Sequence, residues 1–198
     1  PYSDYRKLLE TKDIDAVLIG TPEHWHGPML IDAVAAGKDA YCEKPMSHSI
    51  EEGVRMVKAV RSTDRIVQIG MQRRSTPSVI AAKELVKECG EIYLVKAYWH
   101  WDWSKPLNNS PITEELDWKA FIGPAPWHAF EPQRFRHWRY FWDYSGGNCT
   151  DQATHLMDVV QWFMGSGAPR AATCYGDVYA MTGSETPDVF SATFEYPK

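Results

Sequence analysis

Long apolar runs are missing from this 198-residue chain. No stretch approaches the roughly 20 consecutive apolar residues that a membrane-spanning helix requires, so no membrane partner is assigned. Clustered basic residues are missing as well. Lys and Arg total 21 against 26 Asp and Glu, a formal net charge of −5. That mixed, mildly acidic balance argues against nucleic acid as a partner, because neutralising phosphates needs gathered Lys and Arg. Cysteine is sparse. Cys42, Cys89, Cys149 and Cys174 lie far apart with no Cys-x-x-Cys, a spacing that fits neither a zinc knuckle nor a disulfide framework. They read as reduced, partly buried thiols, which suits a cytoplasmic location. Internal repeats, low-complexity tracts and any G-x-G-x-x-G are absent too.

Aromatic residues, by contrast, are plentiful. They make up 13% of the chain, with nine tryptophans, and most fall between Tyr98 and Trp162. Rings in that number line carbohydrate sites or fill a core, and both readings stay open for the segment as a whole. The hydrophobic share of 44% is sufficient for a packed interior, and the length suits one large domain or two small ones.

Residues 14–20 (IDAVLIG) form a short apolar and β-branched run closed by Thr21-Pro22, which predicts a buried parallel strand. Residues 24–36 predict a helix stopped by Gly37. A second strand over 39–42 leads into Glu43-Lys44-Pro45, and Ser49 and Glu52 stand in capping-box spacing at the head of an amphipathic helix over 49–62. A third strand is predicted over 66–70. Strands alternating with helices imply βαβ units and a parallel sheet. Beyond Thr76 the pattern changes to a helix over 77–89, a long alternating strand over 92–103, and an aromatic, Pro-rich stretch over 106–144 that reads as a functional or interface loop. A helix over 150–164 and strands over 171–180 and 188–196 follow, the last two suited to antiparallel pairing. The predicted organisation is an α/β half, residues 1–75, and an α+β half, residues 76–198. A helix is also predicted over 2–10, and the opening Pro1 and the strand-like close suggest a piece of a longer protein.

Three places carry candidate chemistry. On a straight helix, Asp151, His155, Asp158 and Trp162 share one stripe, while Leu156, Val159, Val160 and Phe163 share an arc facing the core. An aspartate beside a histidine on that stripe can fix one tautomer and stabilise the protonated ring of a general base. Gly146 and Gly147 just ahead allow close backbone approach to a ligand. Asp151 and His155 alone are an incomplete ligand set, so no metal is assigned. Lys44 stands at the carboxyl end of a parallel strand, where open α/β sheets bind ligands, and its ammonium can stabilise a developing alkoxide. Its bond to Pro45 is a candidate for the cis form. Thr21, Pro22, His24 and His26 lie along the same edge, where they either meet a ligand or cap the following helix.

These residues sit in longer matching pieces: AVLIGTPEHWH (16–26), AAGKDAYCEKP (35–45), IVQIGMQRRSTP (66–77), WKAFIGPAP (118–126) and WRYFWDYSGGNCTDQATHLMDVVQWFMG (138–165). In this order and at this spacing the chain resembles the glucose–fructose oxidoreductase / inositol dehydrogenase family (Gfo/Idh/MocA). The resemblance implies the second half of a Rossmann-like parallel sheet, followed by an open, mostly antiparallel sheet domain with helices on one face. It implies hydride transfer between NAD or NADP and a carbon of a sugar or polyol. It assigns Lys44, Asp151 and His155 to catalysis, with His155 as acid/base and Asp151 as its orienting partner. Thr21, Pro22, His26, Glu43, Lys44, Gln72 and Arg73 fall near the cofactor. Lys44, Arg139, Trp142, Asp151 and His155 fall near the substrate, Arg139 and Trp142 by position only. A homo-oligomer, dimer or tetramer through the open sheet, is implied as well.

One departure stands out. The family opens with a strand and a Gly-rich phosphate loop that this sequence does not contain, so the adenosine side of the cofactor has no residues here. Two other readings stay open: NAD-dependent glycoside hydrolysis on the same fold, and a non-catalytic sugar-binding module. A periplasmic location is the alternative if an export signal preceded this sequence.

Overall fold

The structure is a computed structural model that describes residues 2–100 and 105–197. Helix α1 (Tyr5–Leu9) is followed by β1 (Ala16–Ile19), α2 (Glu23–Ala35), β2 (Asp39–Glu43), α3 (Ile50–Arg61) and β3 (Val67–Gly70). The strands pair in parallel in the order β1-β2-β3, with Ile19 opposite Cys42 and Glu43 opposite Gly70. Ile19, Ala40 and Cys42 pack with Leu30 of α2 and Met56 of α3 into the first core cluster. The predicted burial of the first strand holds for one face only, since Leu18 is 74% exposed. The helices lie close: a Cβ on Gly27 would stand 2.3 Å from the Glu52 side chain. At the head of α3, Ser49 Oγ accepts from the Glu52 amide at 3.1 Å, and the Glu52 carboxylate accepts from the His48 amide at 2.7 Å. The reciprocal cap thus closes one residue further out than the simple box.

The second half opens with a 3-10 turn (Gln72–Ser75) and α4 (Pro77–Val86). Residues 91–100 form no strand, contrary to the expectation for 92–103; positions 101–103 lie outside the described residues. Alternation suited this segment to a strand, but β4 (Ala171–Asp177) and β5 (Val189–Glu195) pair only with each other among the described residues. A strand without a ladder leaves its backbone groups unpaired, so none forms there. The stretch 106–144 is likewise not one loop. It contains α5 (Trp118–Ile122), α6 (Pro132–Arg136) and a 3-10 turn (Trp138–Tyr140). Its rings build the second core cluster, in which Leu107, Trp118, Ile122, Phe141, Tyr144 and Met181 are buried. Trp118 stacks on Phe121 with ring centroids 5.2 Å apart. Most of these aromatics are therefore core rather than sugar platform.

The expected helix over 150–164 is two helices, α7 (Gly147–Asp151) and α8 (Ala153–Met164), joined at Gln152. Its apolar arc does not reach a closed core. Leu156, Val159, Val160 and Phe163 line a cleft of about 470 Å³ with Val79 and Val86 of α4. Asp158 is held by Arg74, whose Nη2 lies 2.6 Å from Oδ1, and Arg74 also lies 5.6 Å from the Trp162 ring centroid.

The first turn of α2 docks onto the second half. His24 Nε2 and Trp25 Nε1 both donate to the Phe121 carbonyl, at 2.9 and 3.0 Å. Gly123, at φ +53°, lies under the Trp25 ring so closely that a Cβ would be 1.9 Å from it. His24 is 3% exposed, and its Nδ1 has no partner among the described residues. Burial therefore pushes its pKa down to about 4 from the ordinary 6.5. The unfolded chain takes up this proton first as pH falls, so stability present above pH 6.5 is lost progressively towards pH 4, by roughly 3 kcal/mol. His24→Gln keeps a donor for Phe121 and cannot titrate. Thermal or urea unfolding at pH 7 and pH 4.5 should show a shallower acid loss in this variant. Parallel pH profiles for the two proteins would contradict the assignment.

Candidate active site

The site forms where the carboxyl ends of the three parallel strands meet α7 and α8, the edge at which open α/β sheets bind ligands. Lys44 follows β2, and the Lys44–Pro45 peptide bond is cis. The Lys44 Nζ donates to the Asp151 carbonyl at 2.9 Å and to the Asp151 carboxylate. Both side chains are nearly enclosed, 12% and 9% exposed. Asp151 Oδ2 also accepts from Gln152 Nε2 at 2.9 Å and lies 3.3 Å from Arg139 Nε. Three donors thus surround one carboxylate, and its charge is matched by Lys44 and Arg139.

This arrangement corrects the expected partnership. Asp151 grips Lys44 rather than the His155 ring, and Asp158 grips Arg74. At the break, the His155 amide donates to the Gln152 carbonyl at 3.1 Å, and the Asp151 carbonyl accepts from Lys44. His155 stands in the first turn of α8, 6% exposed, with its ring 6.4 Å from the Trp99 ring. Its pKa is lowered first by burial and then by the charges of Lys44 and Arg73, against opposing pulls from Asp151 and Asp158. The imidazole is accordingly neutral at pH 7 and available as a base.

The other expected residues divide into two groups. Thr21 follows β1, and its Oγ1 is buried without a partner among the described residues. Glu43 ends β2 and accepts from the Lys44 amide at 3.2 Å. Arg73 lies over the Trp99 ring at 5.0 Å and lines the same cleft as His155. Gln72 is exposed at the head of its 3-10 turn, and Pro22 occupies the cap position of α2. Arg139 reaches the site through Asp151. His26 is different: it is 1% exposed, and its ring nitrogens face the carbonyls of Thr21 at 2.9 Å and Pro45 at 2.7 Å. Its ring fills the space between two strand ends and has no surface left for a ligand, which corrects its placement among the cofactor contacts. Trp142 is 53% exposed, and its backbone is held by His48 and Glu185. Gly147, at φ +66°, makes room for Thr186, whose Oγ1 would lie 2.4 Å from a Cβ there, and not for a ligand. No group of three or more His, Cys, Asp or Glu able to hold a metal ion occurs among the described residues.

The orphaned Thr21 hydroxyl, the Lys44 ammonium and the His155 imidazole fit the reactive end of a dinucleotide and a hydroxyl substrate beside it. A buried polar atom without a partner calls for an explanation, and a polar ligand beside Thr21 supplies one. The residues for the pyrophosphate end have no counterpart in this sequence.

Known proteins resemble this chain in sequence and in fold. Residues 1–71 match the profile of an oxidoreductase family with an NAD-binding Rossmann fold, and residues 60–182 match the C-terminal alpha/beta domain of the same family. The chain is 40% identical to scyllo-inositol 2-dehydrogenase (NAD(+)) of Bacillus subtilis over 163 residues, 82% of this chain and 39% of that protein. It is 30% identical to levoglucosan dehydrogenase of Pseudarthrobacter phenanthrenivorans over 166 residues, 82% of this chain and 36% of that protein. The chain thus spans well under half the length of these two relatives. A solved levoglucosan dehydrogenase, in complex with NADH and levoglucosan, superposes with a TM-score of 0.72 at 24% identity, over 98% of this chain and 48% of that one. At that identity the likeness speaks for the fold. The two matched profiles, in order along the chain, place it in the Gfo/Idh/MocA oxidoreductase family.

Proposed function

We propose that this chain carries the hydride-transfer site of an NAD(P)-dependent oxidoreductase that acts on a hydroxyl-bearing carbon of a sugar or polyol. The observation that carries this reading is the buried Lys44–Asp151 contact with neutral His155 in the next helix. The named activities of the inositol and levoglucosan relatives support the substrate class.

When bound, the nicotinamide supplies the hydride acceptor. His155 accepts the proton of the substrate hydroxyl, which its depressed pKa allows at neutral pH. Lys44 donates a hydrogen bond to the same oxygen and stabilises the negative charge that develops as the C–H bond breaks. The hydroxyl proton and the carbon-bound hydride leave together, and a carbonyl remains. Asp151 fixes the Lys44 ammonium through two contacts, and Arg139 and Gln152 hold Asp151 in turn. Burial excludes water from this pair.

Two coarser features extend the reading. No helix among the described residues is long and apolar enough to cross a membrane, and the four cysteines are unpaired, which supports a reducing compartment such as the cytoplasm. The β4–β5 hairpin exposes Tyr175, Val189 and Phe194, which supports association through this sheet.

Steady-state assay with NAD+ and scyllo-inositol or levoglucosan tests the proposal. His155→Ala and Lys44→Met should each lower turnover by about 10² to 10⁴-fold, with NAD+ affinity changing less in the histidine variant. A fully active His155→Ala protein sinks the assignment. NADH formed in proportion to product identifies oxidation, whereas product without net NADH would move the assignment to redox-neutral hydrolysis. The pH profile gives a separate check. The acid limb of kcat/KM should inflect below pH 6.5, and Arg73→Ala should move it upward, because removing a nearby positive charge favours the protonated ring. An inflection that rises above 6.5 in the unsubstituted protein, or falls in Arg73→Ala, is incompatible with His155 as the base.

A further inference from the structure

Glu23 is the first residue of α2, yet it is 1% exposed. Both its oxygens are used, and every donor comes from one short segment of the other half. Ser145 Oγ donates to Oε1 at 2.6 Å, while Thr150 Oγ1 and the Gly146 amide donate to Oε2 at 2.8 and 3.3 Å. The two hydroxyls are themselves oriented. Ser145 Oγ accepts from the Gly147 amide at 3.1 Å, and Thr150 Oγ1 accepts from the Gly146 amide at 3.0 Å. Two polarised relays, each from a backbone N–H through a hydroxyl, therefore end on one buried carboxyl group. Burial pushes the Glu23 carboxyl above its ordinary range, and these same donors oppose that push.

The segment so held is the turn that opens α7, and Asp151 is the last residue of α7. Three residues beyond Glu23 on the same helical turn, His26 binds the carbonyl of Pro45, directly after Lys44. The first turn of α2 thus grips both sides of the Lys44–Asp151 contact, His26 from the lysine side and Glu23 from the aspartate side. We propose that Glu23 is a positioning residue for the active site: it sets the place of Asp151, and through it the Lys44 ammonium, without touching substrate. This inference rests on the functional reading above.

The test compares Glu23→Gln, which keeps the shape but turns an acceptor into a donor facing hydroxyls, with Thr150→Val and Thr150→Ser. Two readouts are taken on the full chain: amide hydrogen exchange at Gly146 and Gly147, and kcat and KM with NAD+ and scyllo-inositol or levoglucosan. Glu23→Gln and Thr150→Val should speed exchange at these amides by roughly tenfold. They should lower kcat by about tenfold to a hundredfold with KM for NAD+ little changed, the signature of a misplaced reacting group. Thr150→Ser, which restores the hydroxyl, should return both readouts towards the starting protein. Unchanged exchange in Glu23→Gln overturns the proposal, and so does faster exchange with kcat intact. If Glu23→Gln does not fold, Thr150→Val and Thr150→Ser decide by the same criteria. If the unsubstituted protein shows no turnover, exchange at Gly146 and Gly147 alone decides whether Glu23 holds the turn.

Discussion

The contact between Lys44 and Asp151 is the interaction on which the arrangement of this protein turns. It joins residues 107 positions apart, one at the end of a parallel strand and one at the end of a short helix in the other half. Without Asp151 the buried Lys44 ammonium would lose the carboxylate that it contacts, and an unpaired buried charge is far more costly than the pair. The contact therefore makes the two halves one site. It also holds a cationic donor, already stripped of most of its water, at the strand end where the proposed reaction puts the substrate oxygen.

Helix α2 supplies the alignment that this contact needs. Its first turn enters the second half and commits each of its polar residues there or to the strand ends. Glu23 holds the Ser145–Thr150 donors, His24 and Trp25 share the Phe121 carbonyl, and His26 lies between the Thr21 and Pro45 carbonyls. Four consecutive residues thus connect the parallel sheet, the aromatic core and the turn that opens α7. An ordinary surface helix would give its first turn to solvent. Here that turn is buried, and the cost appears as the shifted pKa values of Glu23 and His24.

Much of the α/β half was legible in the chain. The runs around Val17, Tyr41 and Gln68 became parallel strands because short apolar segments alternating with helices leave few other arrangements. Ser49 capped its helix as its spacing with Glu52 foretold, since capping is a local interaction. The second half was less legible because its structure depends on distant partners. Alternation over 92–103 gave no strand over its described part, where no ladder is available, and the aromatic stretch became core once its short helices brought Trp118, Phe141 and Tyr144 together. At the site, the positions of Lys44, Asp151 and His155 followed from motif order. Their pairing did not, because Asp151 meets a lysine 107 residues away that a helical wheel cannot show. Glu23 escaped notice for the same reason: its donors lie 122 to 127 residues away, and an acid at a helix start reads as a simple complement to the helix dipole.

The most direct test of this account is a double-mutant cycle on Lys44→Met and Asp151→Asn, read as unfolding free energy in urea. If the pair is buried and mutually dependent, each single change should cost about 3 kcal/mol or more, and the double change much less than their sum. Additive losses would mean that Lys44 and Asp151 do not hold one another, and the joined site described here would not exist.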